Sequence, residues 1–211
     1  MPTFQASRDL QLHYLVDDFT EPWTEPKTIL LLHGNAESSL AWYAWVPVLA
    51  RRFRVVRPDM RGYGASTPMP RDFKWTLDVI IDDYARLMDS LAVQRFHLVG
   101  AKIGGVIARA FAAHRPERVM TLTVIGSPPP LRKGAERIPA LTEEFETRGV
   151  EHWAGRTMAG RLGDRFPPPK ASSGGSGSWA GRPCRRSSAS MPPSITRTSG
   201  PTCPRSPAPR S

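Results

Sequence analysis

Leu98-Val99-Gly100-Ala101-Lys102-Ile103-Gly104-Gly105 is the stretch whose reading decides the fold. It opens on the end of a short apolar run, Phe96–Val99, of the kind that makes a strand buried on both faces. It closes in Ile103–His114, a segment with helical character. A strand therefore passes through a tight turn into a helix, with Lys102 at the turn.

The same alternation spreads outward in both directions. Thr28–Leu32, Arg54–Arg57 and Leu122–Ile125 are further short apolar runs, and Ala41–Arg52 and Asp78–Leu91 read as helices between them. In the second of these, Ile80, Tyr84, Leu87, Met88 and Leu91 fall on one face. Upstream, Thr3–Ala6 and the alternating Leu10–Val16, separated by Arg8-Asp9, read as a hairpin. Strands alternating with helices at this spacing predict a doubly wound α/β architecture. Its sheet is mostly parallel, with the antiparallel hairpin at one edge. Ligands of such sheets bind beyond the carboxyl ends of the strands, which places the Lys102 turn at the expected site.

Composition narrows the class. The 211 residues suffice for one domain with a real core, and 40% apolar content suits a globular protein. No run approaches the roughly 18 uninterrupted apolar residues of a membrane helix. Met1–Asp9 lacks the layout of a signal peptide, so the expectation is a cytoplasmic protein with no membrane partner. The formal charge of +10 is concentrated at the end: 166–211 holds seven Lys or Arg and no acid, leaving 22 basic against 19 acidic residues before it. With few aromatics in that tail and no basic stripe in the body, nucleic acid is not an expected partner. Cys184 and Cys203 also lie there, without a metal-ligand spacing. No metal or cofactor is expected.

Two more segments end predicted strands in a chemically suggestive way. One is Leu31-Leu32-His33-Gly34-Asn35, where a glycine lets the chain turn and the following N–H can face a developing oxyanion. The other is Arg57-Pro58-Asp59-Met60-Arg61-Gly62-Tyr63-Gly64-Ala65-Ser66, a strand end running into a glycine-rich loop. With the Lys102 turn, these three in order resemble the α/β-hydrolase superfamily, in particular its esterase, lactonase and haloalkane dehalogenase branches. The likeness runs from about Phe4 to Ser127 and includes the link Arg115-Pro116-Glu117-Arg118-Val119.

The resemblance implies a nucleophile elbow of the form G-x-S-x-G. Gly100 and Gly104 take its small positions, and Lys102 stands where the family has its nucleophile. It also implies an oxyanion hole from the N–H groups of Asn35 and Ile103, with Gly34 shaping the loop that holds the first. Lys102 has two readings. A helix N-terminus and partial desolvation both favour a neutral amine, able to act as a base or to form a Schiff base. Alternatively, Lys102 is an exposed or ion-paired residue in a protein that no longer runs triad chemistry. Asn35 with Trp42 and Trp45 is similar to the halide site of haloalkane dehalogenases, but that branch needs an Asp nucleophile followed by Trp, and here Lys102 precedes Ile103. The tryptophans are expected to line core and pocket, and Asp59 to hold its loop.

The resemblance further implies an acid after the sixth or seventh strand and a histidine after the eighth. Beyond Leu122–Ile125 the chain offers Gly126-Ser127 and no acid, and His13, His33, His97 and His114 lie too early. His152 falls in a helical stretch, Pro139–Leu162, that Gly149 and Gly155 should interrupt. The expected organisation is a hydrolase core over 1–130, a partial cap over 131–165 and a disordered Ser/Pro/Arg-rich tail over 166–211. Of the tail's 46 residues 26 are Ser, Pro or Gly, too few apolar groups to offset ordering entropy. Its acid-free composition is what a GC-rich gene gives when read out of frame, so a truncated, frameshifted end is expected. The function that follows is hydrolysis of a small ester, lactone, amide or related carbonyl compound as the ancestral activity. In this chain Lys102 alters the elbow and ordinary esterase turnover is not expected. The alternative is a non-catalytic protein that holds a small carbonyl ligand.

Overall fold

The computed structural model describes residues 2–70, 72–127, 138–158 and 160. Six strands form one sheet: β1 (Thr3–Ser7), β2 (Leu10–Asp17), β3 (Thr28–Leu32), β4 (Arg54–Pro58), β5 (Phe96–Ala101) and β6 (Val119–Ile125). Their order across the sheet is β1-β2-β4-β3-β5-β6. β1 runs antiparallel to β2 and β2 antiparallel to β4, and the remaining neighbours are parallel. The expected mixed sheet, with its antiparallel hairpin at one edge, is the observed one.

The α-helices are α1 (Val46–Leu49), α2 (Leu77–Ser90), α3 (Ile103–His114) and α4 (Ile138–Met158). The unbroken apolar run of β3, buried at all five positions, explains why both faces of the sheet need cover. Leu30 and Leu32 point into a core with Ile80, Tyr84, Leu87 and Met88 of α2 and Ile107 and Phe111 of α3. Ile29 and Leu31 point the other way, against Trp42, Val46 and Ala50. Successive strand residues face opposite sides, so one strand anchors two cores. The start of α2 is set by Thr76, whose hydroxyl accepts from the Val79 N–H at 3.2 Å, and by Asp78 in the first turn.

Some boundaries differ from expectation for local reasons. The single helix expected over Ala41–Arg52 is instead a 3₁₀ turn, Ser39–Trp42, followed by the one-turn α1. Pro47 is the cause. Lacking an N–H, it is tolerated only in a first turn, so the helix must begin just before it. β6 begins at Val119, three residues before the expected Leu122. α4 breaks at Gly149 (φ 80°, ψ 165°), while Gly155 stays within the helix. The boundaries expected at 130 and 165, and the tail over 166–211 with its two cysteines, lie outside the described residues.

Candidate active site at the β5–α3 corner

The corner is made by backbone that leaves no room for side chains. A Cβ on Gly100 would lie 2.2 Å from the Gly104 carbonyl oxygen. One on Gly104 would lie 2.3 Å from that of Leu32 and 2.5 Å from that of His33. The first turn of α3 therefore seats directly on the end of β3. Between the two glycines Lys102 adopts φ 54°, ψ −119°, a conformation that L-residues other than glycine rarely hold. Two hydrogen bonds fix it: the Lys102 N–H donates to Ile125 O at 2.9 Å, and the Gly105 N–H donates to Lys102 O at 3.1 Å.

The facing loop is built from His33 onward. The His33 Nε2 accepts from the Met60 N–H at 3.0 Å, so its proton sits on Nδ1, which donates to Gly34 O at 2.8 Å. The Asn35 side-chain oxygen accepts from the Tyr63 hydroxyl at 2.7 Å. Burial pushes the Tyr63 phenol well above its ordinary range, so it stays a donor. Ala36 takes a left-handed turn at φ 58° and delivers Glu37 back over the glycine. One Glu37 carboxylate oxygen accepts from the Gly34 N–H at 2.9 Å. The other takes the Lys102 ammonium. The Glu37 side chain is only 8% exposed and that of Lys102 46%. A Cβ on Gly34 would lie 2.8 Å from both the Glu37 Oε2 and the Lys102 Cδ. The lysine stem therefore lies across the glycine turn.

Asp59, at the end of β4, is wholly buried. Its carboxylate accepts from the Ser39 N–H at 2.6 Å and the Ala65 N–H at 2.8 Å, and faces His13 Nδ1 at 3.0 Å. Burial raises its pKa. The N–H groups of Ala65 and Ser39 oppose that, and the carboxyl is held below the usual range. Beyond it, Arg61 grips Asp83 with two hydrogen bonds of 2.6 Å each. Both groups spend their charge inside the protein, tying loops to strands.

The structure thus brings together Lys102, Gly34, Gly100 and Gly104. Asn35 and Ile103 are the chain neighbours of Gly34 and Lys102, and Ile103 is the buried first residue of α3. Glu37 was not among the expected site residues, and its one signal in the sequence is that it is the only acid between Thr28 and Pro58. Trp42 belongs to the core with Ile29, Leu31 and Val55, and meets Trp45 edge-on at 5.4 Å. Two further histidines are engaged elsewhere: Nδ1 of His97 faces Thr121 Oγ1 at 2.8 Å and Nδ1 of His152 faces Glu144 at 3.1 Å. Among the described residues no group of three or more His, Cys, Asp or Glu could hold a metal ion, and no helix is long and apolar enough to cross a membrane.

A family model described as alpha/beta hydrolase fold matches residues 27–163. The chain is similar to 2-hydroxymuconate semialdehyde hydrolase of Pseudomonas sp. (strain CF600), 38% identical over 102 residues, which are 47% of this chain and 36% of that protein. It thus spans little more than a third of that relative's length. Among solved structures it is similar to a hydrolase from Pseudomonas aeruginosa PA01, with TM-score 0.69 and 26% identity over 87% of this chain and 68% of that one. It is also similar to the enol-lactonase of Burkholderia xenovorans LB400, with TM-score 0.63 and 26% identity over 74% of this chain and 58% of that one. With a family model covering most of the described fold and a β5–α3 corner closed by Gly100 and Gly104, this chain belongs to the α/β-hydrolase family.

Proposed function

We propose that the β5–α3 corner takes a small ester, lactone, amide or related carbonyl compound. In this reading Lys102 changes what the corner does with the bound carbonyl. The observation that carries the reading is the engagement of Lys102 with Glu37 at the position of the elbow nucleophile. As an ammonium ion-paired with a carboxylate, the group offers no lone pair for attack. It can still donate to a carbonyl oxygen, supplementing the N–H groups of Asn35 and Ile103, which the resemblance makes oxyanion donors. The carbonyl class is supported by the enol-lactonase and the semialdehyde hydrolase to which the chain is similar.

The ion pair also favours the second reading, in which the ligand is held and not turned over. Hydrolysis through a serine needs a base beside it. His33 has both ring nitrogens committed within its loop, and His13 turns Nδ1 to Asp59. We expect the full chain to hydrolyse p-nitrophenyl acetate no faster than its Lys102→Ala variant. A fluorophosphonate should leave every serine unlabelled, while small lactones raise the melting temperature of the protein less in Lys102→Ala than in wild type. A stoichiometric phosphonate adduct on any serine would overturn the reading.

A further inference from the structure

α1 and the 3₁₀ turn before it are apolar on both sides. Trp42, Val46 and Ala50 belong to the core against the sheet, at the four-residue spacing of an inward stripe. The outward positions are not polar in return. Tyr43, Trp45 and Val48 are 74%, 43% and 71% exposed, and Leu40–Ala50 contains no charged side chain. A helical segment that is apolar all round is one that is covered all round. Beside it runs the connection from β2 to β3. The Phe19 N–H donates to Ala50 O at 2.8 Å and the Arg54 N–H to Lys27 O at 3.1 Å, so both ends of that connection are tied to the chain leaving α1. It adds Phe19, 62% exposed, and Trp23, 80% exposed. Apart from Leu122 on β6, every large apolar side chain exposed among the described residues lies in these two segments, 16–23 and 40–48.

We propose that this face binds a second copy of the chain about a twofold axis. Area is the first argument. With about 150–250 Å² per aromatic side chain, the four exposed rings present on the order of 500 Å², and Leu40 and Val48 raise that toward the ~800 Å² that one partner of a standard interface buries. The largest apolar patch on a typical monomer is about 300–600 Å². Charge is the second argument. Asp18, Glu21 and Glu25 are exposed along the β2–β3 connection, and Arg51 and Arg52 are exposed just past α1. An anionic bilayer would repel the acids beside Trp23. A second copy turned by half a revolution instead lays the acidic side of one rim on the basic side of the other, as a self-complementary twofold contact requires. Aromatic residues at the centre with charges confined to the rim are the anatomy of a protein interface.

The test is sedimentation velocity of the full chain over the micromolar range. A reversible monomer–dimer equilibrium is expected, with nothing larger, because a twofold contact closes on itself. Val48→Lys should weaken the dimer by about tenfold or more, since it buries a charge among apolar groups. Leu122→Lys, an exposed apolar position away from this face, should leave the dimer unchanged. Hydroxyl-radical footprinting of wild type, read by peptide mass spectrometry, gives a measurement that needs no variant. Labelling of Trp23, Tyr43 and Trp45 should fall several-fold as concentration rises, while Leu122 labels equally throughout. A monomer at every concentration, a dimer indifferent to Val48→Lys or broken by Leu122→Lys, or protection of the three aromatics that ignores concentration overturns the proposal. A monomer that sediments with phosphatidylcholine vesicles also overturns it and assigns the face to lipid.

Discussion

Gly104 and Leu32 meet backbone against backbone: a Cβ on the glycine would sit 2.3 Å from the leucine carbonyl oxygen. That contact seats the first turn of α3 on the end of β3 and brings Lys102 within reach of Glu37. Carbonyl oxygens of a central parallel strand cannot retreat without breaking the ladder to β4 and β5.

Gly104→Ala should therefore destabilise the protein by about 2–4 kcal/mol, the range for overpacking at a rigid contact. Ile125→Val, half-buried at the end of β6, should cost under about 1.5 kcal/mol. Urea unfolding followed by tryptophan fluorescence measures both. A Gly104→Ala midpoint equal to wild type would mean that α3 can lift away from β3.

Lys102 gives a prediction with an inverted sign. In most exposed helical positions glycine is less stable than alanine by about 1 kcal/mol. At φ 54°, ψ −119° alanine keeps the backbone strain and glycine relieves it. Lys102→Gly should thus be more stable than Lys102→Ala by about 1 kcal/mol, and both lose the Glu37 pair equally. Thermal melts of the two variants decide the order. Alanine above glycine would remove the strain argument.

Asp59 makes a prediction about pH. Its folded pKa is held below the ordinary carboxylate value, so the unfolded chain binds the proton more readily. The stabilisation is present above the unfolded pKa, near 3.8, and is lost as pH falls through the lower folded value. Asp59→Asn should cost about 2–4 kcal/mol at pH 7, because the donors of Ser39 and Ala65 lose a charged acceptor. The gap between variant and wild type should narrow as pH drops below about 4. Urea midpoints from pH 7 to pH 2.5 would show it. A constant gap across that range would mean that the Asp59 charge contributes nothing.

How much of this was legible in the sequence varies with the range of the interaction. β3 and α3 read correctly because local apolar patterning is what the two cores select: Leu30 and Leu32 face α2 and α3, while Ile29 and Leu31 face Trp42 and Val46. The segment after Ser38 misread as one helix because aromatic content hid the effect of a single missing N–H at Pro47. The glycines of the corner were readable as small positions, but what they press against was not. Leu32 and Gly104 become neighbours only when β3 and β5 pair. Glu37 was hidden for the same reason, since its partner Lys102 lies 65 residues away. Its standing as the one acid between Thr28 and Pro58 was a visible signal, although that alone names no partner.

The hydrogen bonds from Lys102 N–H to Ile125 O and from Gly105 N–H to Lys102 O hold the corner from both sides without using the lysine side chain. The scaffold grips position 102 like a socket, by main chain alone, and the side chain is a removable fitting. Changing the fitting leaves the grip intact, so a lineage can exchange one reactive group for another there without refolding the protein around it. Chemical novelty and structural inheritance are thereby uncoupled at this position, whereas at Gly100 and Gly104 they are the same thing.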